Sequence, residues 1–299
     1  MLMRSMSMVA MRTGRRQQRY RKNNTVTIDD STLGSSIVDY VVLLGGRSDY
    51  YALQNNTLTV SNSEIPTDGS VSTIAMAGAN ALYDYVDESL SGIVSGNTAN
   101  LQNNKIVTNY GGQIILAGGI NASYGKAWYG TKNADSNTLT MTGNTVGTVA
   151  DADDETGSKN YIAGGIAVGQ ADDNDKTLVP VKATGNTATL TNNTIGTNTA
   201  DNNYVAGGMV TVDGDAESNT LTITGGTIEG NKSYVAGGMS IEKGNADSNT
   251  LTISAVTIGT LGGSKTYVAG GYAVTGNASQ NTATITGATL GTDEAPKST

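Results

Sequence analysis

The sequence predicts an all-β chain, a parallel β-helix (β-solenoid) of about eight coils with roughly 30 residues per coil plus insertions. Three observations lead there. An Asn-Thr dyad followed by alternating residues recurs as NTVTI from Asn24, NTLTV from Asn56, NTANL from Asn97, NTLTM from Asn137, NTATL from Asn186, NTLTI from Asn219 and Asn249, and NTATI from Asn281, with starts 32, 41, 40, 49, 33, 30 and 32 residues apart. A second phrase follows: YIAGG from Tyr161 and YVAGG from Tyr204, Tyr234 and Tyr267, with weaker versions ILAGG at Ile115, IAMAGA at Ile74 and VLLGG at Val42. The composition is also wrong for a thick globular core: 37% hydrophobic, 5% aromatic, no Phe and one Trp (Trp128), against 39 Gly and 3 Pro. A thin, elongated core with many tight corners fits those proportions.

The unit from Asn219 shows each element in order. In NTLTITGGTIEG, Leu221 and Ile223 take one face of a strand and Thr220, Thr222 and Thr224 the other, the alternation of a half-buried strand. Gly225 and Gly226 bend the chain into a second short strand at Thr227 and Ile228, and a polar corner from Glu229 to Ser233 leads to a third strand at Tyr234. There Val235, Gly237, Met239 and Ile241 share one parity and are expected to point inward, while Glu242 to Ser248 form a polar return to Asn249. Stacking each strand on its counterpart, about 4.8 Å per coil, gives a rod roughly 38 Å long. Leu139, Leu190, Leu221, Leu251 and Ala283 are expected in one interior column. Asn137, Asn186, Asn219, Asn249 and Asn281 are expected to stack as an amide ladder, and Tyr161, Tyr204, Tyr234 and Tyr267 as a second ladder. Propeller blades, the alternative fold, need four strands and hairpin turns per repeat, for which thirty residues leave little room.

The insertions have a pattern. The return from the AGG-like site to the next Asn-Thr takes 13 residues from Ala206 to Asn219 and from Ala236 to Asn249, but 20, 20 and 23 from Ala77 to Asn97, Ala117 to Asn137 and Ala163 to Asn186. These loops must leave adjacent coils at one corner, and loops grouped on one side of a repeat protein are often its binding side. They carry Tyr83 and Tyr85, then Tyr124, Trp128 and Tyr129, then Asp172, Asp173 and Asp175. The five aromatic residues are the candidate ligand contacts, because aromatic rings make contact surface for sugars and proteins. Loop drift at little thermodynamic cost is the structural alternative.

Charge divides the chain. Residues 1–22 hold seven of the 18 Lys and Arg and no acid, leaving 11 cations and 26 acids, a net of −15, for the remainder. Residues 1–22 therefore read as a disordered basic tail or a mis-called start, and 23–299 as the solenoid. The longest apolar run of the tail, Met8 to Met11, is too short for a signal-peptide core. The acidic body argues against nucleic acid as a partner. With no stretch of 18 or more apolar residues the sequence encodes no transmembrane helix. Absence of both Cys and His excludes disulfides, Cys/His metal sites and Ser-His-Asp or Cys-His catalysis.

Units such as YVAGGMSIEKGNADSNTLTISAVTIGT and YVAGGYAVTGNASQNTATITGATLGT resemble repeats in the passenger regions of bacterial autotransporter surface proteins. The resemblance covers residues 24–299 and is one of repeat and composition, without a catalytic motif. It implies an exported, non-enzymatic β-helix at the cell surface or in the extracellular space. Such a chain acts as an adhesin or stalk and contacts a host or community surface protein or glycan. Membrane attachment is expected only through a C-terminal outer-membrane barrel, a part not recognisable in these residues. The chain ends at Gly291 to Thr299, where another YVAGG strand is due, so truncation and end-to-end self-association through an uncapped coil are expected.

Three other chemistries deserve comparison. Asp151, Asp153, Asp154 and Glu155, with Asp172, Asp173 and Asp175, supply carboxylates for a polysaccharide-acting enzyme, but they sit in polar loops and no pair recurs on a strand face. Calcium suits such oxygen ligands, yet the spacing matches neither the EF-hand loop nor the glycine-rich nonapeptide. The threonine rows starting at Thr138, Thr187, Thr220 and Thr282 resemble an ice-binding face, interrupted by Asn100 and Gln102. The expectation is no catalytic residue, no cofactor and no metal.

Overall fold

The structure, a computed structural model, describes residues 20–34, 40–48, 52–67, 72–83, 93–108, 112–123, 133–148, 157–168, 180–259 and 265–291. Among them are 27 strands and no helix, paired in parallel into three stacked sheets, so the fold is a parallel β-solenoid of about eight coils. A 13-stranded threonine sheet contains every Asn-Thr strand together with the short strand after it. The seven strands that carry the AGG phrase, Tyr40–Ser48, Ser72–Tyr83, Gly112–Ser123, Lys159–Val168, Asn202–Val210, Lys232–Ser240 and Lys265–Ala273, make the tyrosine sheet. A third sheet of seven short strands closes the coil.

That third sheet differs from the expected polar return. Glu242 to Ser248 contains the strand Ala246–Asp247, stacked on Gly214–Glu217, Val181–Thr184 and Ala134–Asp135. These strands are short and Val181 is their one large apolar side chain, so little alternation marks them; what holds them is a column of small residues, Ala134, Ala183, Ala216 and Ala246, all fully buried. The same sheet begins at Tyr20–Lys22, paired with Ala52–Gln54, so the first strand lies on the tail side of the boundary expected at residue 22.

The interior has two compartments. The larger lies between the threonine sheet and the first half of the tyrosine sheet and is filled by Leu58, Leu101, Leu139, Leu221, Ile223, Leu251, Val205 and Val235, each at most 2% exposed. Its columns follow the register Leu139, Ala188, Leu221, Leu251, Ala283. Leu190 is not in that column, as expected from sequence, but in the next, between Met141 and Ile223. In NTATL the leucine comes two residues later than in NTLTI, and Ala188 takes the first place. The smaller compartment lies between the end of the tyrosine sheet and the return sheet, where Ala167 and Val210 meet Ala134, Val181 and Ala183.

The two compartments meet at a waist, which explains both the asparagines and the paired glycines. At Gly237 an added Cβ would stand 2.7 Å from the carbonyl carbon and oxygen of Thr250, so the tyrosine strand touches the backbone of the following Asn-Thr corner. Beside it, a Cβ on Gly238 would run into the Asn249 amide. The strand changes sides here: Val235 belongs to the large core, whereas Met239 packs with Tyr234 and Ala236, and Ile241 joins them. The inward parity expected for Met239 and Ile241 is therefore reversed, because two consecutive glycines interrupt the period-2 alternation.

Inside the waist the amide ladder runs further than expected, through Asn24, Asn56, Asn97, Asn137, Asn186, Asn219, Asn249 and Asn281. Asn219 is typical. Its backbone N–H and its Nδ2 donate to Oδ1 of Asn249 at 2.9 and 3.1 Å, Nδ2 also donates to the Ala183 carbonyl at 2.8 Å, and Oδ1 accepts from the N–H and Nδ2 of Asn186 at 2.9 and 3.0 Å. Only a short side chain with two donors and an acceptor satisfies all these partners in an interior that water does not reach. The residue before each dyad, Gly185 or Ser218 for instance, has φ near +60° (63° and 56°), which turns the asparagine inward. A second, shorter ladder joins Ser63, Asn104, Asn144 and Asn193 at the next corner.

Candidate functional site

Outward residues of the tyrosine sheet form the most distinctive surface of the rod. Residues of one parity stack in register, so Tyr161, Tyr204, Tyr234 and Tyr267 make one column. Their rings lie nearly parallel, with centroids 5.1, 5.1 and 4.7 Å apart and interplanar angles of 10°, 5° and 3°. Tyr272 packs obliquely on Tyr234 at 5.2 Å and 57°. Stacking covers the ring faces; Tyr161, Tyr204 and Tyr234 remain partly exposed at the surface and Tyr267 is 43% exposed. Burial raises the phenol titrations of Tyr161, Tyr204 and Tyr272 above the usual tyrosine value, which keeps them protonated as O–H donors. In the first coils the column continues as Val42, Ala75 and Ile115.

Two residues before each tyrosine, on the same face, runs a second column: Tyr40, Thr73, Gln113, Lys159, Asn202, Lys232 and Lys265. The seven strands of this sheet contain Arg47, Lys159, Lys232 and Lys265 and no Asp or Glu, although the chain carries a net charge of −8. Three lysines elsewhere among the described residues are matched: Lys105 lies 2.8 Å from Glu64, Lys182 lies 3.0 Å from Glu217 and 3.9 Å from Asp215, and Lys243 lies 3.3 Å from Asp213. Lys159, Lys232 and Lys265 form no ion pair with any described residue.

The other faces are occupied differently. Thr138, Thr140 and Thr142 align with Thr187, Thr189 and Thr191, then with Thr220, Thr222 and Thr224, all outward on the threonine sheet, where Asn100 and Gln102 break the grid. On the return sheet Asp135 is half-buried, and its Oδ1 lacks a hydrogen-bond partner among the described residues. Burial holds its carboxyl above the usual carboxylate range, and Lys182 partly opposes this. Since the folded state binds this proton more tightly than the unfolded state, the contribution of Asp135 to stability declines as pH rises through its folded titration. Asp135→Asn is thus expected to raise the melting temperature at pH 7 and to lose that advantage below the ordinary carboxyl value of 3.8, as scanning calorimetry at both pH values would show. An equal shift at both pH values would contradict the assignment to ionisation.

One buried acid carried no signal in the sequence. Asp201, fully buried, accepts from Thr148 (N–H at 3.2 Å, Oγ1 at 2.7 Å), Ser158 (N–H at 2.7 Å, Oγ at 3.0 Å), Thr197 (N–H at 2.9 Å) and Asn198 (N–H at 3.1 Å). With every lone-pair direction engaged, it ties neighbouring coils together and has no capacity left for proton transfer to a substrate. It occurs in one coil, so no repeat reveals it.

Of the aromatic residues predicted to contact a ligand, Tyr83 ends the strand Ser72–Tyr83 opposite Ser123. Tyr85, Tyr124, Trp128 and Tyr129 lie outside the described residues, as do Asp151 to Glu155 and Asp172 to Asp175. The pairing of Tyr83 with Ser123 starts two of the insertions at the same corner of adjacent coils, as their spacing predicts. Among the described residues no group of three or more acids is placed to hold a metal ion. No family model, curated protein or solved structure matches the chain.

Proposed function

We propose that this chain is the adhesive or stalk-forming part of an autotransporter-like protein displayed at the cell surface, without enzymatic activity. The carrying observation is the outer face of the tyrosine sheet, which repeats one set of groups coil after coil, in register, over four successive coils. A catalytic centre needs a few unlike groups converging on one reacting atom; a face of like groups suits a long or repeating partner. That partner is a host or community surface glycan or protein. The aromatic residues that follow Tyr83 and Ser123 in sequence, Tyr85, Tyr124, Trp128 and Tyr129, add a second contact region in this reading. In this reading the outer-membrane barrel of the full-length protein is the only membrane attachment. The last described coil exposes Ile285 and Leu290 at 43% and 41%, in columns where Ile253 and Ile258 are fully buried. In this reading copies of the chain associate through these exposed apolar residues.

Beads coated with the purified chain are expected to be retained on cell surfaces or immobilised cell-wall glycans several-fold more than beads coated with an acidic globular protein. No new reducing ends should be released from those glycans. Retention equal to the control would count against adhesion, and steady release of reducing ends would favour the polysaccharide-acting reading.

A further inference from the structure

We infer that the tyrosine sheet binds a linear acidic polysaccharide, carboxylated or sulfated, laid along the rod axis. In this arrangement Lys159, Lys232 and Lys265 meet its anionic groups, and the edges and hydroxyls of Tyr161, Tyr204, Tyr234 and Tyr267 meet its sugar rings. The inference rests on the adhesive reading and specifies its ligand.

Charge complementarity carries it. Among the described residues Lys159, Lys232 and Lys265 form no ion pair, while Lys105, Lys182 and Lys243 each lie beside a carboxylate, and the seven strands of the sheet contain no acid. The tyrosine edges reinforce the sign, because the rim of an aromatic ring is the positive part of its quadrupole. Phenol O–H groups donate to carboxylate, sulfate or sugar oxygens. Lys232 and Lys265 sit on adjacent coils, and Asn202 separates Lys232 from Lys159. The cations are thus spaced by one and two rungs of about 4.8 Å, a one-dimensional array that only an extended chain engages at all points.

Two other occupants fit less well. A single-stranded nucleic acid would need open aromatic faces for its bases, and here neighbouring rings cover the faces at about 5 Å. A second copy of the chain would have to offer free acids. On the return sheet Asp215 and Glu217 are engaged by Lys182, Asp247 by the N–H and Oγ of Ser279, and Asp135 is half-buried.

The test is native affinity electrophoresis of the full chain in gels containing polygalacturonate, its fully methyl-esterified neutral form, or an oligothymidylate. The parent should be retarded by polygalacturonate alone, less so as salt rises. The triple variant Lys159→Gln, Lys232→Gln, Lys265→Gln should bind about tenfold more weakly, the sum of three modest exposed charge contacts. These side chains are outward, so its circular dichroism and melting should match the parent, and Lys105→Gln serves as a variant that leaves binding unchanged. Unaltered retardation of the folded triple variant, equal retardation by the esterified polymer, or tighter binding of the oligonucleotide would each overturn the inference. So would a parent that polygalacturonate does not retard. If coated beads still adhere in any of these cases, the adhesive reading survives and only the ligand class is wrong.

Discussion

Asn219→Ala is expected to destabilise the solenoid by about 4 kcal/mol or more, since each buried hydrogen-bonding group left without a partner costs roughly 1–3 kcal/mol. The substitution strands the backbone N–H of Asn186 and the carbonyl of Ala183, removes one of the two acceptors of Asn186 Nδ2, and takes one of two donors from Oδ1 of Asn249. All of these lie in the waist, where Asn186 and Asn219 are fully buried. Thr222→Ala, on the outer face of the same strand, should change stability by no more than about 0.5 kcal/mol. Urea denaturation followed by circular dichroism measures both. A loss below about 1 kcal/mol for Asn219→Ala would mean that the amide ladder accompanies the fold without holding it.

Gly237→Ala is expected to cost about 3 kcal/mol or more, although it adds one methyl group to a strand whose φ is ordinary. The new Cβ would stand 2.7 Å from the carbonyl carbon and oxygen of Thr250, backbone atoms that cannot rotate away. The waist would have to open, pulling the tyrosine strand off the Asn249 corner; overpacking of this kind usually costs 1–3 kcal/mol when side chains can yield, and here none can. Hydrogen exchange should locate the damage in the amides of Thr250 to Ile253. Melting within a degree of the parent would show that the sheets are not in contact at this point.

Much of this fold was legible because hydrogen-bonded partners in a solenoid are copies of one another. The intervals between Asn-Thr dyads are the sequence separations of the amide bonds, 32, 41, 40, 49, 33, 30 and 32 residues. Strand alternation likewise gave the inward Leu221 and Ile223 and the outward threonines. Other features leave weaker marks. The return strands are two to four residues long and bury at most two apolar side chains each, such as Val94, Ala134 or Val181 with Ala183, too little for a periodic signal. The waist is defined by side chains that glycine lacks, and the change of parity between Val235 and Met239 follows from that close approach, which composition does not encode. In the tyrosine sheet the repeated ring was visible, but its role depends on three lysines and on the absence of acids across seven strands. That charge pattern emerges only once the coils are placed in register. Sequence reasoning sought ligand contacts among the loop aromatics, and Tyr85, Tyr124, Trp128 and Tyr129 lie outside the described residues.

The ladders, the waist and the proposed binding face all depend on register, and the lack of native cysteine allows it to be measured directly. Thr222 and Thr252 are partners on adjacent coils, and Thr284 is the next rung. Parallel neighbours stand about 4.8 Å apart, within the 4.4–6.8 Å Cα separation of a disulfide, whereas two rungs span about 9.6 Å. Under mild oxidation the chain with Thr222→Cys and Thr252→Cys should form an intramolecular disulfide nearly quantitatively, and the chain with Thr222→Cys and Thr284→Cys should not. Failure of the first pair to close, or equal closure of the second, would contradict the stacking of these coils.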